Sequence, residues 1–80
     1  MQNLSIMGVS IQDRINMAPK VQEIFTKYGD GIISRFGVHE PKIKNKGVIT
    51  FHLMADPDVV NKFSNELVAL DGVTVKCITM

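Results

Sequence analysis

The side chains of this 80-residue chain that could do chemistry are few and widely separated. His39 and His52 are its two imidazoles, and because imidazole nitrogen is a common ligand of transition metals they are the candidate metal-binding pair. Arg35 has the planar guanidinium that binds a carboxylate or phosphate with two hydrogen bonds, and it could equally pair with an acid across an interface. Cys77 is a lone cysteine, which excludes an internal disulfide, and we expect it to be a small buried hydrophobic residue.

Groupings typical of enzymes and nucleic-acid binders are missing from the pattern. No serine–histidine spacing is informative, no carboxylates pair in a predicted cleft, and the glycines form no phosphate-binding loop. The net charge is +1 with scattered lysines and arginines, which does not favour nucleic acid. No apolar run approaches the roughly 20 residues of a membrane-spanning helix, and the start has no signal-peptide pattern. We therefore expect a cytoplasmic protein that is not an enzyme and binds neither nucleic acid nor membrane.

The first half of the chain predicts a strand followed by a helix. Asn3 to Ile11 is rich in β-branched residues and has no helical stripe, so it is predicted to be strand one. Asn16 is the predicted N-cap of helix one, which puts Pro19 in the first turn, where its missing N–H would have no partner. Apolar side chains then recur at steps of three and four, which is typical of one helix face: Met17, Val21, Ile24, Phe25 and Tyr28.

The second half predicts three strands and one more helix. Asp56 is the predicted N-cap of helix two, with Pro57 at its first position, and Asp71-Gly72 ends it. The strands run from about Gly31 to His39, from Gly47 to Met54 and from Val73 to Thr79, with Pro41 and the nearby lysines in a turn. The resulting order is βαββαβ. We expect residues 1–80 to form a single α+β domain of the ferredoxin-like class, with antiparallel strand order 4-1-3-2 and both helices on one face.

Side chains alternate between the two faces of a sheet, so the large apolar positions of strand three indicate the face that the helices cover. The predicted inward residues are Ile49, Phe51 and Leu53 in strand three, Phe36 and Val38 in strand two, and Val73, Val75 and Cys77 in strand four. The open face would carry Arg35, His39 and His52 beside an apolar patch of Ile33, Val48, Met54 and Ile78. Such a patch predicts a protein contact, and we expect a homodimer or homotetramer formed through the sheets.

Four segments carry a resemblance that covers essentially the whole chain: Gly8 to Arg14, Lys20 to Asp30, Ile32 to His39 and Leu70 to Lys76. The most specific part joins the Tyr28-Gly-Asp turn to Arg35-Phe-Gly-Val-His. In these segments the chain resembles the iron-only hydrogenase system regulators, which are ACT-like domains akin to the C-terminal domain of the nickel-responsive repressor. The resemblance implies a cytoplasmic bacterial protein with a regulatory or ligand-sensing role that is oligomeric through its sheets.

The resemblance also implies where a ligand would bind. In ACT domains the turn after strand one and the start of helix one contribute to small-ligand sites between subunits. The matching region is Ser10 to Asn16, so the candidate ligand-binding residues are Ser10, Gln12 and Asp13, together with Arg35. The chain lacks the Asp-x-x-Gly pattern of amino-acid-binding ACT domains and the ribbon–helix–helix module of the repressor. No cofactor is specified: a small effector or a transition metal between subunits fits, and an assembly module without ligand or a small metal-binding protein is the alternative.

Overall fold

The computed structural model describes residues 2–39 and 45–80, except for the side chains of residues 38 and 39. Its elements are β1 (Asn3–Ile11), α1 (Arg14–Lys27), a 3-10 turn (Gly29–Gly31), β2 (Ile32–His39), β3 (Gly47–Ala55), α2 (Pro57–Val68) and β4 (Val73–Thr79). The βαββαβ order is confirmed, and the ends of each predicted strand lie within one residue of the observed ends. The predicted turn at Pro41 falls in residues 40–44, outside the described part of the chain.

The four strands form one antiparallel sheet in the order β2-β3-β1-β4, which is the predicted order counted from the other edge. Right-handed crossovers through α1 and α2 place both helices over the same face. That face of β1 is fully buried, with Met7 and Val9 at 0% exposure. The structure therefore confirms an α+β fold of the ferredoxin-like class.

Three phenylalanines join the helices to the sheet. Phe25 of α1, Phe63 of α2 and Phe51 of β3 are at most 2% exposed. Their ring centroids lie 5.0 Å (Phe25–Phe51), 5.4 Å (Phe51–Phe63) and 5.9 Å (Phe25–Phe63) apart. Tyr28 stacks on Phe63 from the end of α1, with centroids 4.8 Å apart. Because one ring comes from each of three elements, this cluster holds the two layers together.

Helix α1 begins three residues earlier than predicted, and the prediction that Asn16 is its N-cap was wrong. Asp13 is the N-cap, and its carboxylate accepts from the Asn16 backbone N–H at 3.4 Å and from the Asn16 amide at 2.9 Å. Asn45, just before β3, accepts from the Arg14 N–H at 2.9 Å through its carbonyl and from the Ile15 N–H at 2.8 Å through its side chain. Pro19 consequently lies inside the helix, beyond the first turn. A distant residue therefore satisfies helix donors that the local pattern could not pair.

Helix α2 begins as predicted, with Asp56 as N-cap and Pro57 as its first residue. It ends at Val68, and the chain then turns through Gly72, whose φ of +72° lies in the left-handed region. A side chain at this position would be strained, and its Cβ would lie 3.1 Å from that of Gln12. The glycine lets β4 start directly beside β1. Among the described residues, no helix is both long enough and apolar enough to cross a membrane.

Candidate functional site

The face of the sheet away from the helices, called the open face here, follows the predicted alternation in β3. Phe51 and Leu53 are 0% exposed beneath the helices. Thr50 and His52 are half-buried on the opposite side, and Met54 is 37% exposed. His52 therefore lies on the open face, as the strand pattern predicts.

Strand pairing arranges the open face in rows that run across the sheet. One row is Ser34, His52, Ile6 and Ile78, and the next is Phe36, Thr50, Gly8 and Lys76. The rows on either side contain Val48, Ser10 and Thr74, and Met54 with Leu4. Phe36 is 59% exposed and Ile78 is 64% exposed. Among the described residues of these rows, Lys76 is the one lysine, arginine, aspartate or glutamate, so this surface is apolar and charge-poor.

Strand β2 contradicts the predicted alternation. Ile32 pairs with Leu53 but Ser34 pairs with the next residue, His52, so the chain has one extra residue at Ile33. This β-bulge moves every later side chain to the other face. The predictions that Phe36 points inward and Arg35 outward were wrong: Phe36 lies opposite Thr50 on the open face, and Arg35 lies opposite the buried Phe51. Ile33 is 61% exposed at the bulge, and the predicted inward position of Val38 lies outside the described side chains.

The bulge also brings together two polar residues that sequence reasoning did not connect. The Ser34 hydroxyl lies 3.0 Å from Nδ1 of His52, within hydrogen-bonding distance. The two residues are 18 positions apart, and their contact depends on the shifted register, so no spacing in the sequence could reveal it. Among the described residues no carboxylate is hydrogen-bonded to His52.

Arg35 lines a groove between α1 and the edge strand β2. Its guanidinium carbon lies 5.9 Å from the centre of the Phe25 ring. With the Gln22 amide oxygen turned towards β2, both terminal nitrogens of Arg35 donate to it, at 3.2 and 3.3 Å. The groove has a volume of about 510 Å³ and is also lined by Ser34 and Gly29. Within the described residues no carboxylate forms an ion pair with Arg35.

The other candidate ligand residues lie elsewhere. Ser10 is half-buried on the open face opposite Val48, and the backbone N–H of Gln12 donates to the Gly72 carbonyl at 2.9 Å. Asp13 accepts from the Asn45 amide at 2.7 Å in addition to its bonds with Asn16. Hydrogen bonds from Asn16 and then Asn45 lower the pKa of the Asp13 carboxyl. Arg35 lies beside Gln22, roughly 14 Å further along α1 from Asp13 at 1.5 Å per residue, so these residues do not form one site.

The candidate metal ligands are dispersed as well. The His39 side chain lies outside the described residues, and His52 is on the open face. Cys77 pairs with the buried Met7 and so projects to the helix-covered side, but it is exposed, and the prediction that it is buried was wrong. Burial falls along the edge strand β4 from Val73 to Cys77 because the helical cover recedes. In residues 2–39 and 45–80 no group of three or more histidine, cysteine, aspartate or glutamate side chains is placed to hold a metal ion.

One polar cluster joins the two helices. Lys27 Nζ donates to Glu66 Oε1 at 2.8 Å, and the Tyr28 hydroxyl donates to Glu66 Oε2. Hydrogen bonds from Lys27 and then Tyr28 lower the pKa of the Glu66 carboxyl. In return, Glu66 raises the pKa of Lys27 and, with burial as a smaller cause, that of Tyr28. These hydrogen bonds join the end of α1 to α2, so the role of this cluster is to hold the two helices together.

A four-stranded antiparallel sheet with two helices on one side is the fold of an ACT-like domain. The ACT domain of GTP pyrophosphokinase from Chlorobium tepidum has the same fold, with a TM-score of 0.81 at 14% identity over 98% of this chain and 100% of that one. The C-terminal domain of the MgtC protein from Mycobacterium tuberculosis also matches, with a TM-score of 0.76 at 14% identity over 99% of this chain and 88% of that one. At these identities the likeness shows the fold alone.

The family model "TM1266-like: Iron-only hydrogenase system regulator, putative" matches residues 3–77, and the chain belongs to this family. The uncharacterized protein TM1266 from Thermotoga maritima has a TM-score of 0.93 at 24% identity, covering 100% of this chain and 99% of that one. A search of the curated proteins gave no match. The family resemblance read from the sequence is thus confirmed.

Proposed function

We propose that this protein is a non-enzymatic regulatory domain of an iron-only hydrogenase system in the bacterial cytoplasm, and that it acts through self-association of its open face. The observation that carries the proposal is the exposure of Phe36 and Met54 on one charge-poor side of the sheet. Apolar side chains grouped in this way mark contact surfaces, because a monomer gains nothing by leaving them in water. Family membership supplies the regulatory role.

The absence of catalytic groupings from the described residues supports a role without chemistry. The Ser34–His52 contact is exposed on an apolar face, and no carboxylate among the described residues is hydrogen-bonded to the histidine. The fold alone does not decide this point, since one ACT domain that it resembles belongs to a GTP pyrophosphokinase.

An effector of this regulator would bind in the groove at Arg35. The guanidinium favours a carboxylate or phosphate, and it is held over the Phe25 ring at the wall of the groove. Ser34 and Phe36, the neighbours of Arg35 in β2, reach the open face. An anion held by Arg35 therefore acts on the strand that also carries the contact surface, and it shifts association by its differential affinity for the two states.

The first prediction concerns the mass of the protein in solution. At millimolar concentration, light scattering on untagged protein is expected to give a mass of about twice the 8.9 kDa chain mass or more, because burial of the open face stabilises the assembly. Met54→Lys is expected to reduce this mass, since it places a charge among apolar side chains. Ile15→Lys, at a site 70% exposed on α1, is the matched control and should leave the mass unchanged. A chain that stays at 8.9 kDa at millimolar concentration contradicts the proposal.

The second prediction tests the effector groove. Inorganic phosphate or citrate at a concentration equal to its dissociation constant adds about 0.4 kcal/mol of stability. For a domain of this size the midpoint of thermal unfolding then rises by about 2–3 °C. Arg35→Gln is expected to abolish the rise, whereas Lys62→Gln, which removes an exposed charge from α2, should retain it. Equal responses of the two variants would show that the anion binds elsewhere. No response in the wild type would favour an assembly module without ligand.

A further inference from the structure

We propose that two copies of this chain pack open face to open face about a twofold axis that runs along β3, so that Phe36 of each copy fills a depression at Gly8 of the other. The proposal rests on the proposed function, because it specifies the partner and register of the same surface. It follows from the row that contains Phe36, Thr50, Gly8 and Lys76.

Gly8 leaves a depression in the interior of the open face. It lies in β1, with Thr50 beside it on β3 and Lys76 beside it on β4. A Cβ built at Gly8 meets no atom within 4 Å, so the space above the backbone is empty. Glycine in a strand interior weakens the strand and often marks a place where another group approaches closely.

Phe36 has the size and position to enter that depression in a second copy. It lies in the same row, two strands from Gly8, at a separation of about 9.6 Å. An axis along β3 places β2 of one copy over β1 of the other, so each ring faces the partner's glycine. Facing sheets lie about 10 Å apart, and a large side chain opposite a small one fills that gap without overlap. Both contacts form together because a twofold interface is self-complementary.

The position of Lys76 favours this register over the one that overlaps all four strands. With the axis along β3, β4 extends beyond the partner's edge strand, and the Lys76 ammonium stays in water. An axis at the centre of the sheet would instead bring Lys76 over the partner's Phe36. A charge placed between apolar surfaces without an anionic partner is unfavourable, and none of the described residues in these rows is acidic.

The overlap in this register covers three strands, about 14 Å across the sheet at the usual strand spacing. With strands of nine residues, about 30 Å long, the overlap is about 420 Å² per copy and about 850 Å² in total. This is below the roughly 1,200 Å² of stable specific interfaces and in the range of weak, transient ones. We therefore expect a reversible dimer whose population rises with concentration, which suits a regulatory contact.

The test moves the aromatic ring from position 36 on β2 to position 8 on β1 by substitution. Sedimentation equilibrium should show that Phe36→Ala and Gly8→Phe each raise the dimer dissociation constant at least about 10-fold, as loss of a central interface contact does. In the double variant Gly8→Phe/Phe36→Ala, the new ring on β1 faces the alanine of the partner. Its dissociation constant is expected to return to within about threefold of the wild-type value. Gly8→Val serves as a second variant that fills the depression with a residue favoured in strands.

Two controls lie on the same face but outside the overlap. Thr74→Phe and Lys76→Gln, both on β4, should leave the dissociation constant within about threefold of the wild type. A wild-type dimer that tolerates Gly8→Phe and Gly8→Val, or a double variant as weak as the weaker single one, overturns this register while self-association stands. A monomeric wild type overturns both proposals. Circular dichroism on dilute samples confirms that each variant is folded.

Discussion

Replacing Phe63 by alanine is expected to lower the free energy of unfolding by about 3–5 kcal/mol, a large part of the stability of a domain this small. The side chain is fully buried and contacts the rings of Phe25, Phe51 and Tyr28, with centroid distances of 4.8 to 5.9 Å. Its removal leaves a cavity at the junction of α1, α2 and β3, and all three aromatic contacts are lost. Chemical denaturation at neutral pH measures the change.

The matched control for this variant is Phe36→Ala, the same substitution on the open face. At a concentration where the protein is monomeric, it should change the free energy of unfolding by less than about 0.5 kcal/mol, because the ring is 59% exposed. Similar losses for the two variants would show that the aromatic cluster is not the centre of the core. An intact Phe63→Ala domain with wild-type stability would contradict the assignment directly.

Asn45→Ala is the second large expected effect, a loss of about 3–4 kcal/mol of unfolding free energy. The substitution removes the acceptor of the Ile15 N–H and the donor to Asp13, and each lost capping bond costs about 1 kcal/mol. It also leaves alanine at a φ of +65°, a left-handed conformation that costs a residue with a Cβ about 1–2 kcal/mol. Thermal and urea denaturation of the variant give the measurement.

Asn45→Gly separates the two contributions, because glycine adopts a positive φ without strain but has no side chain to bond α1. It is expected to be more stable than Asn45→Ala by about 1 kcal/mol.

The effect of Asn45→Ala also depends on pH. Hydrogen bonds lower the pKa of Asp13, so the ionised carboxylate stabilises the fold above the ordinary carboxyl pKa, and this stabilisation is lost as pH falls through the lowered value. The difference between wild type and Asn45→Ala should therefore narrow in acid. If wild type and Asn45→Ala have the same free energy of unfolding at pH 7, Asn45 does not cap the helix.

The candidate site was predictable only in part. The faces of β3 followed from alternation, so His52 and Met54 were placed correctly on the open face. Arg35 was predicted on the open face and Phe36 beneath the helices, and the structure has the reverse. The error arose because the extra residue at Ile33 depends on how β2 pairs with β3. Their exchange changes the interpretation: the arginine belongs to a groove beside α1, and the phenylalanine belongs to the contact surface.

The amino-acid sequence by itself determined the order of elements, the family and the side of β3 that the helices cover. These features follow from the spacing of apolar residues and from the short connections between elements, both of which depend on residues close together in the chain. The tertiary structure alone decided the bulge in β2, the start of α1 at Arg14 and the exposure of Cys77. The physical reason is distance along the chain: the bulge depends on Leu53 and His52, the helix start on Asn45, and the cysteine on how far the helices reach over an edge strand.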